Sequence, residues 1–224
     1  MTRSDALNDD PLRRRWCVLL VVSLLAFVAI AFDVGTGPLL VSLDQHASQR
    51  LLARDSGEWT SAMQWLARVH GVAGIAVVGT MWSVWLLCRG ETMQLARLAL
   101  IVGGGLALNG VLKQMFQRHR PVFGEGGDMP LHTLSSYSFP SGHVSGSVVF
   151  YGFVLMVIFA RTAHRGRRFA AGGVACAMVT LMAYNRVYIG AHFVSDVLAA
   201  LAEGLAWLAF CALLLQRVRP QPSV

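Results

Sequence analysis

Six long apolar stretches leave this chain few ways to fold. They run from about Trp16 to Phe32, Trp59 to Cys88, Leu95 to Leu112, Val144 to Ala160, Phe169 to Tyr184 and His192 to Leu215. A helix needs about 20 residues to cross the hydrocarbon core of a bilayer. In lipid a helix satisfies its own backbone hydrogen bonds, which an open strand cannot do. The second stretch is longer than one crossing needs, and several others are short. Composition points the same way: the 224 residues are 55% hydrophobic and 14% charged, with a mean hydropathy of +0.54. Soluble domains carry about a quarter charged residues, so this chain lacks the polar surface to coat a water-soluble globule. The expected fold is all-α, a bundle of six transmembrane helices.

Charge sets the expected orientation. The formal net charge is +7, and every basic residue but Lys113 is arginine. Arg13–Arg15, Arg89 with Arg97, Arg161 with Arg165, Arg167 and Arg168, and Arg217 with Arg219 fall at alternate ends of the stretches. Placing all four clusters in the cytoplasm satisfies the positive-inside rule. Both termini are then cytoplasmic, and loops of about 33–58, 113–143 and 185–191 face outward. No continuous basic stripe of the kind nucleic-acid binding requires is present, so no nucleic-acid partner is expected. No obligate protein partner is evident either.

The first stretch has a rival reading, because a basic start, an apolar run and Ala29-Ile30-Ala31 resemble a cleavable signal peptide. Its removal would leave an odd number of spans. Cys17, Cys88, Cys176 and Cys211 lie in or beside apolar runs without metal-ligand spacing, and read as buried small hydrophobes. No repeat or linker divides the chain. A single membrane domain is expected over 13–216, with disordered cytoplasmic tails at 1–12 and 217–224.

Two outward loops are dense in residues that handle phosphate. Lys113 and Arg120 are seven apart, two helical turns, and can share a face before Pro121 stops the helix. A guanidinium grips two phosphate oxygens where an ammonium acts as a point charge. An ordinary basic membrane flank explains the same residues, and it suits Arg118 and His119 better. Pro140-Ser141-Gly142-His143 opens onto the fourth stretch, where a helix start offers free N–H groups to an anion. Ser141 can cap that helix or donate to phosphate, and Gly142 permits a close backbone approach. His192 and Asp196 are four apart at the start of the last stretch, so a helix puts them on one face. A carboxylate in an apolar span usually has a partner or a function. Asp196 can hold one imidazole nitrogen of His192 as N–H and leave the other free as a nucleophile. A purely structural His–Asp pair remains the alternative. Glu203, two turns deeper, either bonds Asn109 or tunes the Asp196–His192 pair.

Taken together, these segments resemble the signature of the type 2 phosphatidic acid phosphatase superfamily. That signature, K-x6-R-P, P-S-G-H and S-R-x5-H-x3-D, is met by Lys113…Arg120-Pro121, Pro140-Ser141-Gly142-His143 and Arg186…His192…Asp196. The motifs span Lys113 to Asp196, and Asn185 stands where the family usually has serine. An asparagine amide still donates, so altered affinity is expected there rather than an inactive site. The resemblance implies a membrane lipid phosphatase with its active site at the outer, periplasmic or extracellular, boundary of a bacterial inner membrane. His192 would attack phosphorus, Asp196 would orient it, and His143 would protonate the leaving oxygen and then activate water. Lys113, Arg120 and Arg186 would neutralise the phosphoryl oxygens, with Ser141 and Gly142 adding hydrogen bonds. The cations would do the work of magnesium, so no metal or other cofactor is expected. Polyprenyl diphosphate, phosphatidylglycerophosphate and phosphatidic acid all fit as lipid phosphate substrates, polyprenyl diphosphate slightly ahead. A lipid phosphotransferase using the same phosphohistidine, or a non-catalytic lipid-phosphate binder or transporter, is the alternative.

Overall fold

The structure is a computed structural model that describes residues 10–37, 39–52, 57–121 and 136–217. Among these residues every element is helical: α1 (Pro11–Thr36), α2 (Leu39–Leu52), α3 (Gly57–Val69), α4 (Val72–Cys88), α5 (Thr92–Leu98), α6 (Gly104–Phe116), α7 (Gly142–Arg161), α8 (Arg165–Tyr188) and α9 (Val194–Arg217). A π-helical turn, Ala99–Gly103, joins α5 to α6 in one rod. Asp10 caps α1 by accepting the Leu12 N–H at 2.9 Å, so the helix begins at Pro11, inside the expected tail. The remainder of that tail, 1–9, and residues 218–224 lie outside the described residues.

Five helical runs are long and apolar enough to cross a membrane: α1, α3 with α4, α5 through α6, α7, and α9 up to Gln216. The expected crossing at Phe169–Tyr184 lies within α8, a helix of 24 residues. Arginines at its start and Asn185-Arg186 near its end leave it short of that standard. The apolar surface faces outward on the peripheral helices. Leu25, Val28 and Phe32 of α1 and Phe169 of α8 are all exposed, an arrangement that suits lipid as solvent. The same outward placement corrects the reading of the cysteines: only Cys211 is buried, and Cys17, Cys88 and Cys176 lie on exposed faces as free thiols.

α7 and α9 form the centre. α9 packs along α1 and α7, and α7 packs along α8. The main apolar cluster joins Ile75, Leu86, Ile101, Phe153 and Leu208. Lipid tails are as apolar as leucine, so helices in a bilayer associate through close packing, which small residues allow. A β-carbon at Gly152 would lie 2.5 Å from Leu208 Cδ2, and one at Gly204 would lie 2.9 Å from Val148 Cβ. These two contacts, four residues apart on each helix, set α7 and α9 side by side and parallel.

Two features depart from expectation. The loop expected over 33–58 contains α2, which packs against α1 and α9 and buries Asp44. The overlong second stretch is broken at His70–Gly71 into α3 and α4. Gly71 has no space for a side chain, since a β-carbon would stand 2.6 Å from the Ala67 carbonyl oxygen and 2.8 Å from His143 Nε2. The end of α6, the start of α7, the end of α8 and the start of α9 share one end of the bundle. Exposed arginines occupy the other, where Arg161 pairs with Glu91 at 2.9 Å.

Candidate active site

Lys113 lies in the last turn of α6, which ends at Phe116 because Gln117 adopts a left-handed conformation (φ 47°, ψ 31°). The helix therefore stops before Arg120, and the expected shared face does not form. Instead the chain reverses and runs beside residues 136–138. Ser138 donates its N–H to the Arg118 carbonyl at 2.8 Å and its hydroxyl to the His119 carbonyl at 3.0 Å. The fold-back still brings the two cations together. Lys113 Nζ donates to the Tyr137 carbonyl at 2.7 Å. Arg120 donates to the Ser136 carbonyl from Nε at 2.9 Å and to the Ala191 carbonyl from Nη1 at 2.8 Å.

Ser141 occupies the cap position of α7 but makes no capping bond, and its buried hydroxyl has no partner among the described residues. Its N–H donates to the Asp196 carbonyl at 3.1 Å, tying this loop to α9. A β-carbon on Gly142 would lie 3.1 Å from Asn109 Oδ1 and 3.6 Å from Lys113 Cε. Glycine is what lets the loop settle on α6. Beneath it Asn109 Nδ2 donates to Glu203 Oε2 at 3.0 Å, the simpler of the two roles considered for Glu203.

His143 follows in the first turn of α7, its ring against the break at Gly71. Gly71→Ala is expected to displace that ring. Loss of reaction geometry by about 1 Å costs roughly 100-fold in rate, so turnover should drop by that order while the helices stay folded. Steady-state kinetics beside circular dichroism would check it, and unchanged turnover would show that the break does not position His143.

Arg186 lies in the last turn of α8, is 4% exposed, and has a buried Nε without a partner among the described residues. No carboxylate among the described residues pairs with it, nor with Lys113 or Arg120. Charge without a counter-charge is costly where water is scarce, so the buried Arg186 beside the half-buried Lys113 and Arg120 makes this end of the bundle a candidate site for an anion. Asn185 turns the other way. Its amide donates to the Met63 carbonyl at 2.7 Å, so it holds α3 rather than offering a hydrogen bond to the site.

His192 lies in the turn between α8 and α9, not on the helix as expected. Gly190 makes that turn with φ +68°, and His192 N–H donates back to the Arg186 carbonyl at 3.2 Å. The spacing to Asp196 still brings the side chains near, with His192 Nδ1 3.4 Å from Asp196 Oδ2 but without hydrogen-bond geometry. Nε2 faces Arg120 Nη1 at 3.4 Å. A guanidinium only donates, so Nε2 accepts this contact in the tautomer that keeps the proton on Nδ1, the nitrogen nearer Asp196. Burial first, then the charges of Arg186, Arg120 and Lys113, hold the pKa of His192 well below its ordinary value. The ring is neutral, with Nε2 on the side of Arg120.

Asp196 has a partner that sequence spacing missed. Its Oδ1 accepts from Arg118 Nη1 at 2.6 Å, and Oδ2 accepts the Phe193 N–H at 3.0 Å, as an acid three residues past a helix cap does. Arg118 also pairs with Asp44 at 2.9 Å, and its guanidinium stacks on Phe193 at 4.3 Å. Arg118 is thus no mere membrane flank, whereas His119 is exposed. The one available sign of Asp44 was an acid among leucines in Leu39-Leu40-Val41-Ser42-Leu43-Asp44.

Comparison with known proteins identifies the family. The family model of the PAP2 superfamily matches residues 94–220, more than half of the chain. Phosphatidylglycerophosphatase B of Bacillus subtilis is 34% identical over 110 residues, a match spanning 47% of this chain and 50% of that protein. Lipid A 1-phosphatase of Rhizobium etli is 27% identical over 203 residues, covering 87% of this chain and 82% of that protein. Among solved structures, a transmembrane PAP2 type phosphatidylglycerolphosphate phosphatase from Bacillus subtilis superposes with a TM-score of 0.77 at 22% identity. That superposition covers 91% of this chain and 98% of the other. The apolar helices, the shared fold and the motif residues gathered at one end lead to one assignment: this integral membrane protein belongs to the PAP2 superfamily.

Proposed function

We propose that the chain is a lipid phosphatase that hydrolyses a lipid phosphate or diphosphate through a phosphohistidine intermediate. One observation carries this reading: His192 Nε2 stands 3.4 Å from Arg120, in a site whose three cations, Lys113, Arg120 and Arg186, form no ion pair with any carboxylate among the described residues. An anion completes such a site, and phosphate both balances the charge and presents an electrophile to the nitrogen. His192 Nε2 forms the bond to phosphorus as the ester oxygen leaves with a proton from His143. His143 then takes a proton from water, the hydroxyl displaces the histidine, and phosphate is released. Lys113, Arg120 and Arg186 hold the three phosphoryl oxygens, and the unpartnered hydroxyl of Ser141 donates to one of them. In this scheme the cations do the work of a metal. The relatives above are named for different lipids, which share a phosphate at the membrane surface; polyprenyl diphosphate belongs on the same panel. With the arginine-rich end in the cytoplasm, the protein sits in a bacterial inner membrane with six crossings and both termini inside, and the site opens outward.

The test is phosphate release by the purified protein in detergent with EDTA, against a panel of lipid phosphates. Release in EDTA is expected, and the fastest lipid identifies the substrate class. Transfer of phosphate to an acceptor lipid without release would assign a phosphotransferase instead.

The role of His143 has its own signature. His143→Ala should slow turnover by about 100- to 10,000-fold with a lipid alkoxide leaving group. With a nitrophenolate leaving group, which departs without a proton, the first step should suffer far less. Equal losses with both would remove His143 from the role of acid.

A further inference from the structure

Asp44 is 2% exposed, stands on α2, and is 151 residues from Ser195 in sequence, yet among the described residues its side-chain bonds all go to Ser195 and Arg118, the neighbours of Asp196. Its Oδ1 accepts the Ser195 N–H at 2.9 Å, satisfying a donor at the start of α9 that has no partner within the helix. Its Oδ2 accepts the Ser195 hydroxyl at 2.5 Å and Arg118 Nη2 at 2.9 Å. The other arm of Arg118 reaches the Ser195 hydroxyl at 2.7 Å and Asp196 Oδ1 at 2.6 Å, and the ring of Phe193 covers the guanidinium face. A guanidinium held by two acids, a hydroxyl and an aromatic face has no freedom to turn.

We propose that Asp44 is a positioning residue for the reaction: acting through Arg118, it holds the Asp196 carboxylate in the orientation that steers His192. Arg118 occupies Oδ1 of Asp196, which leaves Oδ2 as the oxygen facing His192 Nδ1. The charge count has a consequence as well. One guanidinium shared by two carboxylates leaves a net negative charge beside an imidazole that becomes cationic when Nε2 bonds to phosphorus. Without Asp44, the guanidinium would neutralise Asp196 alone, and the charge stabilising that imidazolium would be lost. The inference rests on the phosphohistidine reading above and extends it to a helix that carries none of the family motifs.

The test is a double-mutant cycle on the full chain in detergent, with phosphate release as the readout. Asp44→Asn should lower kcat roughly 10-fold, within the usual coupling range for charges in one network, with KM for the lipid unchanged. In an Asp196→Asn background the same substitution should change kcat less than about 2-fold, because the group it acts through is already gone. Asp44→Glu, which keeps the charge, should recover part of the rate. An equal fold-loss in both backgrounds, or a loss confined to KM, would overturn the proposal and leave Asp44 a structural cap of α9. If Asp44→Asn does not accumulate as folded protein, Ser195→Ala removes the hydroxyl shared by Asp44 and Arg118 at constant charge. Its loss should vanish in the Asp196→Asn background, and an additive loss there would overturn the proposal equally. A wild-type chain with no His192-dependent release overturns the phosphatase reading and the positioning role together. His192-dependent release with additive losses overturns the positioning role alone.

Discussion

His192→Ala is expected to abolish phosphate release, lowering kcat by about a millionfold, the scale seen when a nucleophile that works as part of a unit is removed. No neighbour can stand in. His143 is lodged against the α3–α4 break, the Asp196 carboxylate is held by Arg118 and the Phe193 N–H, and the cations cannot attack phosphorus. Lipid binding should survive, since Lys113, Arg120 and Arg186 keep their places and the substitution removes no charge. The check is therefore twofold: turnover with a panel lipid, and retention of a radiolabelled non-hydrolysable analogue. Acid-quenched wild-type enzyme should carry acid-labile phosphate on histidine, and the variant none. Residual turnover within tenfold of wild type would mean that water attacks the lipid directly and that His192 only binds it.

Arg186→Met should separate function from stability. Arg186 is buried and unpaired by any carboxylate among the described residues, so in the free protein it bears a desolvation cost without a compensating partner. Methionine fills much of the same space without that cost. The variant is expected to be more stable by roughly 1–4 kcal/mol, as when buried charges give way to packed hydrophobes. Its turnover should fall about 100- to 1,000-fold, the usual consequence of deleting one group that stabilises developing anionic charge. Thermal unfolding in detergent and steady-state kinetics give the two readouts. A variant that loses both stability and activity would show Arg186 to be a structural residue with partners in the protein.

The two variants also differ in what phosphate should do to the wild-type protein. An anion that binds the folded state stabilises it by mass action. Inorganic phosphate should therefore raise the unfolding temperature of the wild type and of His192→Ala, and raise that of Arg186→Met much less.

Much of this architecture was legible without coordinates. Apolar runs near the length of a bilayer crossing define helices from composition alone, and the five qualifying runs lie where hydropathy put them. The candidate site was legible in residue type and spacing. Lys113, Arg120, Ser141, Gly142, His143, Arg186, His192 and Asp196 come together at one end of the bundle because their motifs sit at consecutive ends of adjacent helices. The pairing of Asn109 with Glu203 could be anticipated too, since both acid and amide lie in apolar spans where a polar group needs a partner.

What sequence patterns could not supply was backbone path and remote partnership. Helical periodicity suggested that Lys113 and Arg120 share a helix face and that His192 stands on α9. A left-handed Gln117 and the turn at Gly190 replace those helical segments with loops that reach the same site. Asn185 reads locally as a substitute donor for phosphate, and only the packing of α3 on α8 reveals that Met63 takes its amide. Arg118 reads as one more basic residue at a membrane flank, and Asp44 as an acid in a loop. Periodicity, motif spacing and hydropathy are properties of neighbours along the chain, and these the sequence alone determined. A guanidinium shared between carboxylates on α2 and α9 leaves no local trace, because its energy arises only when distant segments bury the three groups together. That decision belonged to the tertiary structure.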